Sequence, residues 1–313
     1  MAGADARPDA EREVWRRLTD PALPDRIGEL GLCGPDVVDL LAAAAVVAER
    51  PDDVARIARL AERVRHRIGD FSNPSPSLWV DSDRPGADLA AGTLPLLALL
   101  LTAPAVRSFH LSRGVPPEVS AATLADLGRQ VDVHRLTYRQ FGLHTQGWLL
   151  VVWSGALYQL GRLQFNLQLV SRSGEPEEWV LSTHIPRGGA LEPDRVDAAL
   201  TAATEFFARH FPDYPTRDFF CESWILDPEL PRLVPRSNLA AFQRRWRLYG
   251  DPLPDTTDLL FFIFGVRGQV DPVMLPTDTA LRRAVVDRLV AGQGWSVRTG
   301  RLPQQRPESP EAL

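Results

Sequence analysis

The spacing of apolar residues changes once along the chain, after Gly147, and this change divides the sequence into two parts. Before it, apolar residues recur every three or four positions, for example over 36–49 and 53–68, which is typical of amphipathic helices. After it come β-branched and aromatic runs separated by glycine, the pattern of strands. The sequence therefore predicts a helical domain over 1–145, a mixed α/β domain over 146–300 and a polar, disordered tail over 301–313.

The second part reads as an alternation of strands and helices. Its first apolar stretch, 148–174, predicts two or three strands that end at the Ser173-Gly174 turn. The remaining predicted elements are strands over 178–185, 219–226 and 259–265 and helices over 193–210, 238–248 and 279–290, with another helix over 120–140 in the first part.

Charge and composition exclude several classes of protein. The formal net charge is −5 and the pI is about 5.7, which argues against a nucleic-acid partner. All 35 basic residues are arginine, which we attribute to coding bias and not to phosphate binding. The two cysteines, Cys33 and Cys221, form neither a disulfide framework nor a zinc motif, so we expect no metal.

Targeting signals are not evident in the sequence. The first residues are acidic and polar, unlike a signal peptide. The apolar stretch Leu89–Val106 is interrupted by two prolines and is barely long enough to span a bilayer, so it predicts a buried core helix. We therefore expect a cytoplasmic protein without a membrane partner.

Six separated blocks occur in an order that resembles one bacterial family. They are LGRLQF (160–165), HIPRGGAL (184–191), FFARHFPDY (206–214), CESWILDPEL (221–230), SNLAAFQRR (237–245) and LPTDTALRRAVVDRLVAGQGW (275–295). The chain resembles GNAT-like acyltransferases that join a helical N-acyltransferase N-terminal domain to a GNAT-like C-terminal domain. The resemblance implies an α+β fold in which the helical domain packs on a GNAT-like mixed sheet flanked by helices.

The resemblance also implies an activity. An acyl group would pass from acyl-CoA, or from an acyl carrier protein thioester, to a small-molecule amine acceptor that attacks the thioester directly. In that mechanism the strand ending at Ile185 splays from the strand ending at Leu226, and its bare amides bind the pantetheine arm of the donor. The carrier-protein donor stays open because HIPRGG replaces the usual glycine-rich loop of GNAT enzymes.

Donor-binding residues are predicted where a strand ends and a helix begins. Adjacent glycines let a backbone approach a ligand closely, and a helix N-terminus presents N–H groups to phosphate. Glu192 and Asp194 would compete with phosphate there, unless Arg187 and Arg195 offset them. The predicted donor-binding residues are Ile185, Arg187, Gly188, Gly189 and Ala190, with Ser237 and Asn238 at a later helix start that capping alone would also explain.

Catalysis needs a base for the amine and a proton for the departing thiolate. His184 and Glu222 are the candidate bases, Glu222 alternatively anchoring the amine, while Ser223 and Tyr249 are candidates to protonate the thiolate. Each also has a structural interpretation: a histidine bonded at a strand end, a solvated glutamate, a strand serine, and a tyrosine further from Asn238 than the GNAT pattern requires.

Several alternatives stay open at this point. Cys221 fits a core thiol better than a nucleophile, and Gln164 and Trp224 fit sheet packing, with Gln164 also a candidate for a hydrogen bond in the cleft. The rival functions are a non-catalytic thioester-binding or partner-binding module and, less strongly, a thioester hydrolase.

Overall fold

The computed structural model describes residues 8–71, 89–171 and 176–305. The chain divides into two compact units, Met1–Tyr158 and Gln159–Leu313. Of the predicted tail, 306–313 lies outside the described residues, and the last strand continues to Pro303, beyond the predicted end of the second domain at residue 300.

The regular structure of the first unit is helical up to Trp153 in its described part. Its helices are α1 Asp9–Leu18, α2 Leu23–Glu29, α3 Pro35–Ala48, α4 Pro51–Arg67, α5 Thr93–Ser112, α6 Pro117–Leu124, α7 Asp126–Tyr138 and α8 Gln146–Trp153. The predicted helices over 36–49 and 53–68 are thus confirmed as α3 and α4. The predicted helix over 120–140 is two helices, which meet at Ala125.

Helix α5 forms the centre of this unit. Leucine, alanine and valine side chains on all its faces are buried, including Leu96, Leu97 and Leu99. Among the described residues it is the one helix long and apolar enough to cross a membrane, and 67% of its most apolar window is buried inside the protein. The prediction of a buried core helix here is confirmed.

The run 148–153 is helical, which corrects the strand prediction for the start of the 148–174 stretch. Leu149, Leu150, Val152 and Trp153 are all buried, so the segment has no polar face from which a helical period could be read. Helix α8 packs against α5, and the Trp153 indole Nε1 donates to the carbonyl of Leu99 at 3.0 Å. Burial on several faces has overridden the β propensity of valine and tryptophan.

A six-stranded mixed sheet forms the second unit, with β1 starting at the end of the first. The strands are β1 Leu157–Leu160, β2 Leu163–Val170, β3 Glu178–His184, β4 Asp218–Ser223, β5 Arg247–Pro254 and β6 Ser296–Pro303, in the order β1-β2-β3-β4-β6-β5. Strand β3 is antiparallel to β2 and parallel to β4, and β6 is antiparallel to both β4 and β5.

The helices of the second unit differ in length from the predictions. They are α9 Pro193–His210, α10 Leu230–Leu233, α11 Asn238–Gln243, α12 Thr257–Phe264 and α13 Ala280–Val290. The predicted strand over 259–265 is wrong, because these residues form α12, which ends at Gly265 in the left-handed conformation. The predicted helix over 238–248 stops earlier, and the strand predicted over 219–226 ends at Ser223 in a 3₁₀ turn, Trp224–Leu226.

The two faces of the sheet differ in chemistry. One face is apolar: the rings of Phe165 and Phe219 lie 5.5 Å apart, and Cys221 is buried beside them in the alternation of β4. Gly300 on β6 shares this face, where an added Cβ would lie 2.9 Å from side-chain atoms of Leu226 and Trp246. The opposite face carries Gln164, Asn166, Ser182 and His184, together with the apolar residues Val180 and Phe220.

Candidate active site between two diverging strands

Strands β3 and β4 separate part-way along their length. Their parallel ladder contains Leu181↔Phe219 and Ser182↔Phe220, and within the described residues it ends there. Strand β3 nevertheless continues to His184 and β4 to Ser223. The opening that results, bordered by 183–184 and 221–223, is called the β3–β4 gap below.

Each strand stays attached to its outer neighbour beyond the point of separation. Strand β3 remains in register with β2 as far as Gln164↔His184, and β4 remains in register with β6 as far as Ser223↔Arg298. Further along, the Trp295 indole donates to the Trp224 carbonyl at 2.9 Å. The buried Asp227 carboxylate accepts the N–H and the hydroxyl of Ser296 at 2.8 and 2.7 Å. Beyond the end of their shared ladder, each of the two strands is therefore bonded to its outer neighbour.

Polar side chains line one face of the sheet next to the gap. Register pairs place Gln164 beside His184 and Asn166 beside Ser182, and cross-strand partners point to the same face. Glu222 lies two residues beyond Phe220, the partner of Ser182, so it shares this face with His184. The structure therefore brings the two predicted bases to one face at opposite borders of the gap.

His184 is held by an amide on the neighbouring strand. Its Nε2 lies 2.6 Å from Oδ1 of Asn166, a buried residue whose Nδ2 donates to the carbonyl of Leu167 at 2.9 Å. Because that second bond makes Oδ1 the acceptor, Nε2 carries the imidazole proton in the neutral ring. The lone pair is then on Nδ1, the nitrogen with which His184 can take up a proton.

The loop 186–190 follows β3 directly and leads into α9. Gly188 and Gly189 have φ of +101° and +70°, a region that favours glycine. The guanidinium of Arg162, in the turn between β1 and β2, donates to the carbonyls of Pro186, Gly189 and Ala190 at 3.0, 3.0 and 3.2 Å. The loop is therefore ordered by one side chain, although it contains two glycines.

Arginines engage carboxylates at the start of α9. Arg195 binds Glu192 at 2.8 Å, and Arg245 pairs with Asp197 one turn further on. Arg187 is exposed and forms no ion pair with any residue that the structure describes. The sequence predicts that Glu192 and Asp194 compete with phosphate for the N-terminus of α9. The ion pair with Arg195 reduces this competition for Glu192.

Two family models match almost the whole chain. The N-acyltransferase N-terminal domain matches residues 21–155, and the GNAT-like C-terminal domain matches residues 157–302. A crystal structure of an acyltransferase in complex with decanoyl-CoA and teicoplanin is 34% identical, with a TM-score of 0.78 over 90% of this chain and 87% of that one. The chain belongs to this family of GNAT-like N-acyltransferases.

Other solved structures agree with this assignment. An acyltransferase variant in complex with octanoyl-CoA is 34% identical with a TM-score of 0.81, again over 90% of this chain and 87% of that one. An acyltransferase in complex with decanoyl-CoA is 29% identical with a TM-score of 0.78, over 95% of this chain and 100% of that one. A search of curated proteins finds no match.

Not every predicted residue of the acyltransferase lies at the gap. Tyr249 is on β5, in register with Thr299 of β6, and therefore two strands away from β4. Its ring lies 6.3 Å from that of Phe220, and the central guanidinium carbon of Arg301 lies 6.0 Å from the centre of the Tyr249 ring. Arg301 in turn pairs with Glu178 and Asp218 on the same face. The structure places Tyr249 in this ionic cluster.

The predicted serines have structural hydrogen bonds. Ser223 Oγ accepts the N–H of Ile225 at 3.2 Å and so begins the 3₁₀ turn. Ser237 Oγ accepts the N–H of Ala240 at 3.1 Å and donates to the carbonyl of Val234 at 2.8 Å, which makes it the N-cap of α11. Asn238, the first residue of α11, is half-buried.

Cys221 is buried on the apolar face, opposite to the side chains of Glu222 and His184. Burial, with a smaller contribution from Glu222, raises the pKa of this thiol well above its usual value. A thiol that stays protonated is a poor nucleophile, so the expected role as a core residue fits its surroundings.

Sequence reasoning missed two residues of the candidate site, Asn166 and Arg162. The signal for Asn166 was present in the strict alternation of QFNLQ, which puts Gln164 and Asn166 on one face of β2. No sequence pattern indicated that Arg162 binds a loop that begins 24 residues later.

Proposed function

We propose that this acyltransferase moves a fatty acyl group from acyl-CoA to an amine of a large, amine-bearing small molecule. Three related crystal structures contain decanoyl-CoA or octanoyl-CoA, and one of these three also contains teicoplanin. The observation that carries the proposal is the β3–β4 gap, because the strand on one side of it, β3, leads into the 186–190 loop, whose glycines and following helix N-terminus suit phosphate.

In the proposed mechanism the pantetheine arm lies along the gap and the diphosphate lies at the 186–190 loop. Exposed strand edges bind extended, amide-containing partners through backbone hydrogen bonds. Both amides of pantetheine can bond in this way, as an added strand does. The donor's thioester would then reach the polar face that carries His184 and Glu222.

The chemical step joins the acceptor nitrogen to the thioester carbonyl carbon and breaks the carbon–sulfur bond. His184 Nδ1 takes the proton that the amine loses, and Asn166 keeps the imidazole in the tautomer that permits this. Backbone N–H groups at the gap stabilise the oxyanion. The proton that His184 has taken up then passes to the departing thiolate, so that CoA is released as the free thiol and the imidazole is neutral again. Glu222, exposed at the other border, attracts the ammonium form of the acceptor.

The test combines decanoyl-CoA with the purified protein, with and without teicoplanin, and follows free CoA and the acylated product by mass spectrometry. CoA release that requires the amine, with product heavier by one acyl group, supports transfer. Release without the amine indicates a thioester hydrolase, and tight binding without release indicates a binding module; either result overturns the proposal. His184→Ala should lower kcat about 10²- to 10⁴-fold at unchanged fold.

A series of shortened donors tests the role of the gap. Decanoyl thioesters of pantetheine, N-acetylcysteamine and ethanethiol contain two, one and no amides beside the same reacting group. Each amide that bonds to the strand edges contributes about 1 kcal/mol, so kcat/KM should fall about fivefold at each step. Equal kcat/KM for the three donors would show that the gap does not bind the pantetheine amides.

A further inference from the structure

The geometry points to Arg162 as the residue that pre-organises the 186–190 loop for the phosphates of the donor. This inference rests on the proposed function, because it assumes that the donor is a CoA thioester. Arg162 would be a positioning residue: its guanidinium binds the protein's own loop and not the reacting atoms.

All three nitrogens of the guanidinium are used. Nε donates to the carbonyl of Ala190, Nη1 to that of Pro186 and Nη2 to that of Gly189. Arg162 is half-buried, and burial, together with the nearby Arg195, lowers its pKa from the usual value. The planar fork of an arginine suits this arrangement, because it holds several acceptors in one fixed geometry.

The hydrogen bonds from Arg162 to the loop carbonyls also fix the direction of the loop N–H groups. In a planar trans peptide the N–H of the following residue points opposite to the carbonyl, and the described peptide bonds are trans. When the carbonyls of 186, 189 and 190 face Arg162, the N–H groups of Arg187, Ala190 and Leu191 face away from it. No residue in the described part of the chain accepts a hydrogen bond from these three amides. They are therefore available to an anion at the start of α9.

The benefit of this arrangement is entropic. A loop with two adjacent glycines has more backbone freedom to lose than a loop of the same length without glycine, and a ligand that had to order it would bind more weakly by that amount. Arg162 orders the loop before the donor binds. Pre-organisation of this kind lowers the entropic cost of binding and therefore increases the affinity for the donor. Its loss should therefore raise the KM of donors that contain the phosphates and leave kcat little changed.

The experiment compares the wild type with Arg162→Lys and Arg162→Gln, and with Arg283→Gln as a matched control. Arg283 is exposed, and its Nη1 donates to the carbonyl of Thr277 at 2.8 Å in another loop. Steady-state kinetics are measured with decanoyl-CoA and decanoyl-pantetheine, and calorimetry measures binding of free CoA. Thermal melting reports the fold of each variant.

We expect both Arg162 variants to raise the KM for decanoyl-CoA and the Kd for CoA about tenfold or more. The KM for decanoyl-pantetheine should change less than about twofold, and Arg283→Gln should behave as the wild type. Arg162→Lys separates two explanations: it keeps the positive charge but cannot hold three carbonyls at once. If the lysine variant binds CoA like the wild type, charge alone matters and the inference is wrong.

Failure of this inference differs from failure of the proposed function. A wild type that binds CoA, with Arg162 variants that bind it equally well, overturns only the role of Arg162. A wild type that does not bind CoA overturns the donor assignment and with it this role. If both donors lose activity equally in the variants, Arg162 supports the fold in general and does not position the phosphate loop.

Discussion

The stability of the segment that follows β4, residues 224–229, should depend strongly on the carboxylate of Asp227. Its Oδ2 accepts the N–H and the hydroxyl of Ser296, and its Oδ1 accepts the N–H of Glu229 at 2.9 Å. Asparagine has the same size but only one oxygen, so Asp227→Asn must leave a donor facing its own NH₂. A lost hydrogen bond to a charged acceptor costs about 1.5–3 kcal/mol, and we expect the free energy of unfolding to fall by about that much.

Urea denaturation gives this loss, and hydrogen-exchange mass spectrometry of the 295–300 peptide shows where it occurs. Asp255→Asn is the matched control: Asp255 Oδ1 accepts one N–H, that of Thr257, at an exposed site, and its replacement should cost less than about 1 kcal/mol. If Asp227→Asn costs no more than the control, or if exchange at the Ser296 amide is unchanged, the carboxylate does not hold β4 to β6.

Three further predictions follow from buried polar groups. Asn166→Ala should lower kcat about tenfold with little change in donor KM, because His184 loses the acceptor that sets its tautomer; an unchanged kcat would contradict this. In the native protein a thiol reagent should label exposed Cys33 and not buried Cys221, and labelling of both before unfolding would refute the assigned burial. Burial lowers the pKa of His110 to about 4 in the folded protein, whereas a histidine in the unfolded chain has a pKa near 6.5. As the pH falls, the unfolded chain therefore binds a proton at this histidine before the folded protein does. The contribution of the neutral His110 side chain to the free energy of unfolding is fully present above pH 6.5 and is lost as the pH falls to 4, by up to about 3 kcal/mol. The free energy of unfolding of His110→Gln should therefore change with pH by that much less. If urea denaturation gives the wild type and the variant the same dependence of unfolding free energy on pH, this prediction is wrong.

The helical half and the mixed sheet could be predicted, but two apolar runs were assigned the wrong structure. Neither 148–153 nor 259–264 has a polar face, so neither shows a period, and burial decides between helix and strand only in the folded chain. For α12 the sequence did contain capping signals. Asp255 accepts the N–H of Thr257, the first residue of the helix, and Gly265 ends the helix at φ +69°.

Within the candidate site, position along the chain was predictable and contacts were not. A histidine at the end of a strand, followed by two glycines and a helix, indicated the loop 186–190 and the border of the gap. The partners of these residues, Asn166 and Arg162, come from a neighbouring hairpin, and their roles depend on register and on carbonyl directions. A sequence pattern contains neither quantity. Tyr249 shows the same limit, because its distance from the gap depends on strand order.

The gap exists because each of its strands has a better partner on the outside. Strand β3 pairs with β2 over seven register positions and β4 pairs with β6 over six, whereas β3 and β4 share two. A bare strand edge invites aggregation, and proteins usually keep such edges short or covered. Here the inner edges are short, face each other and lie inside the sheet, so another protein chain has little access, while a thin, amide-containing thread such as pantetheine can enter. In the proposed mechanism, the strand pairing that weakens the middle of the sheet is therefore also what selects the donor.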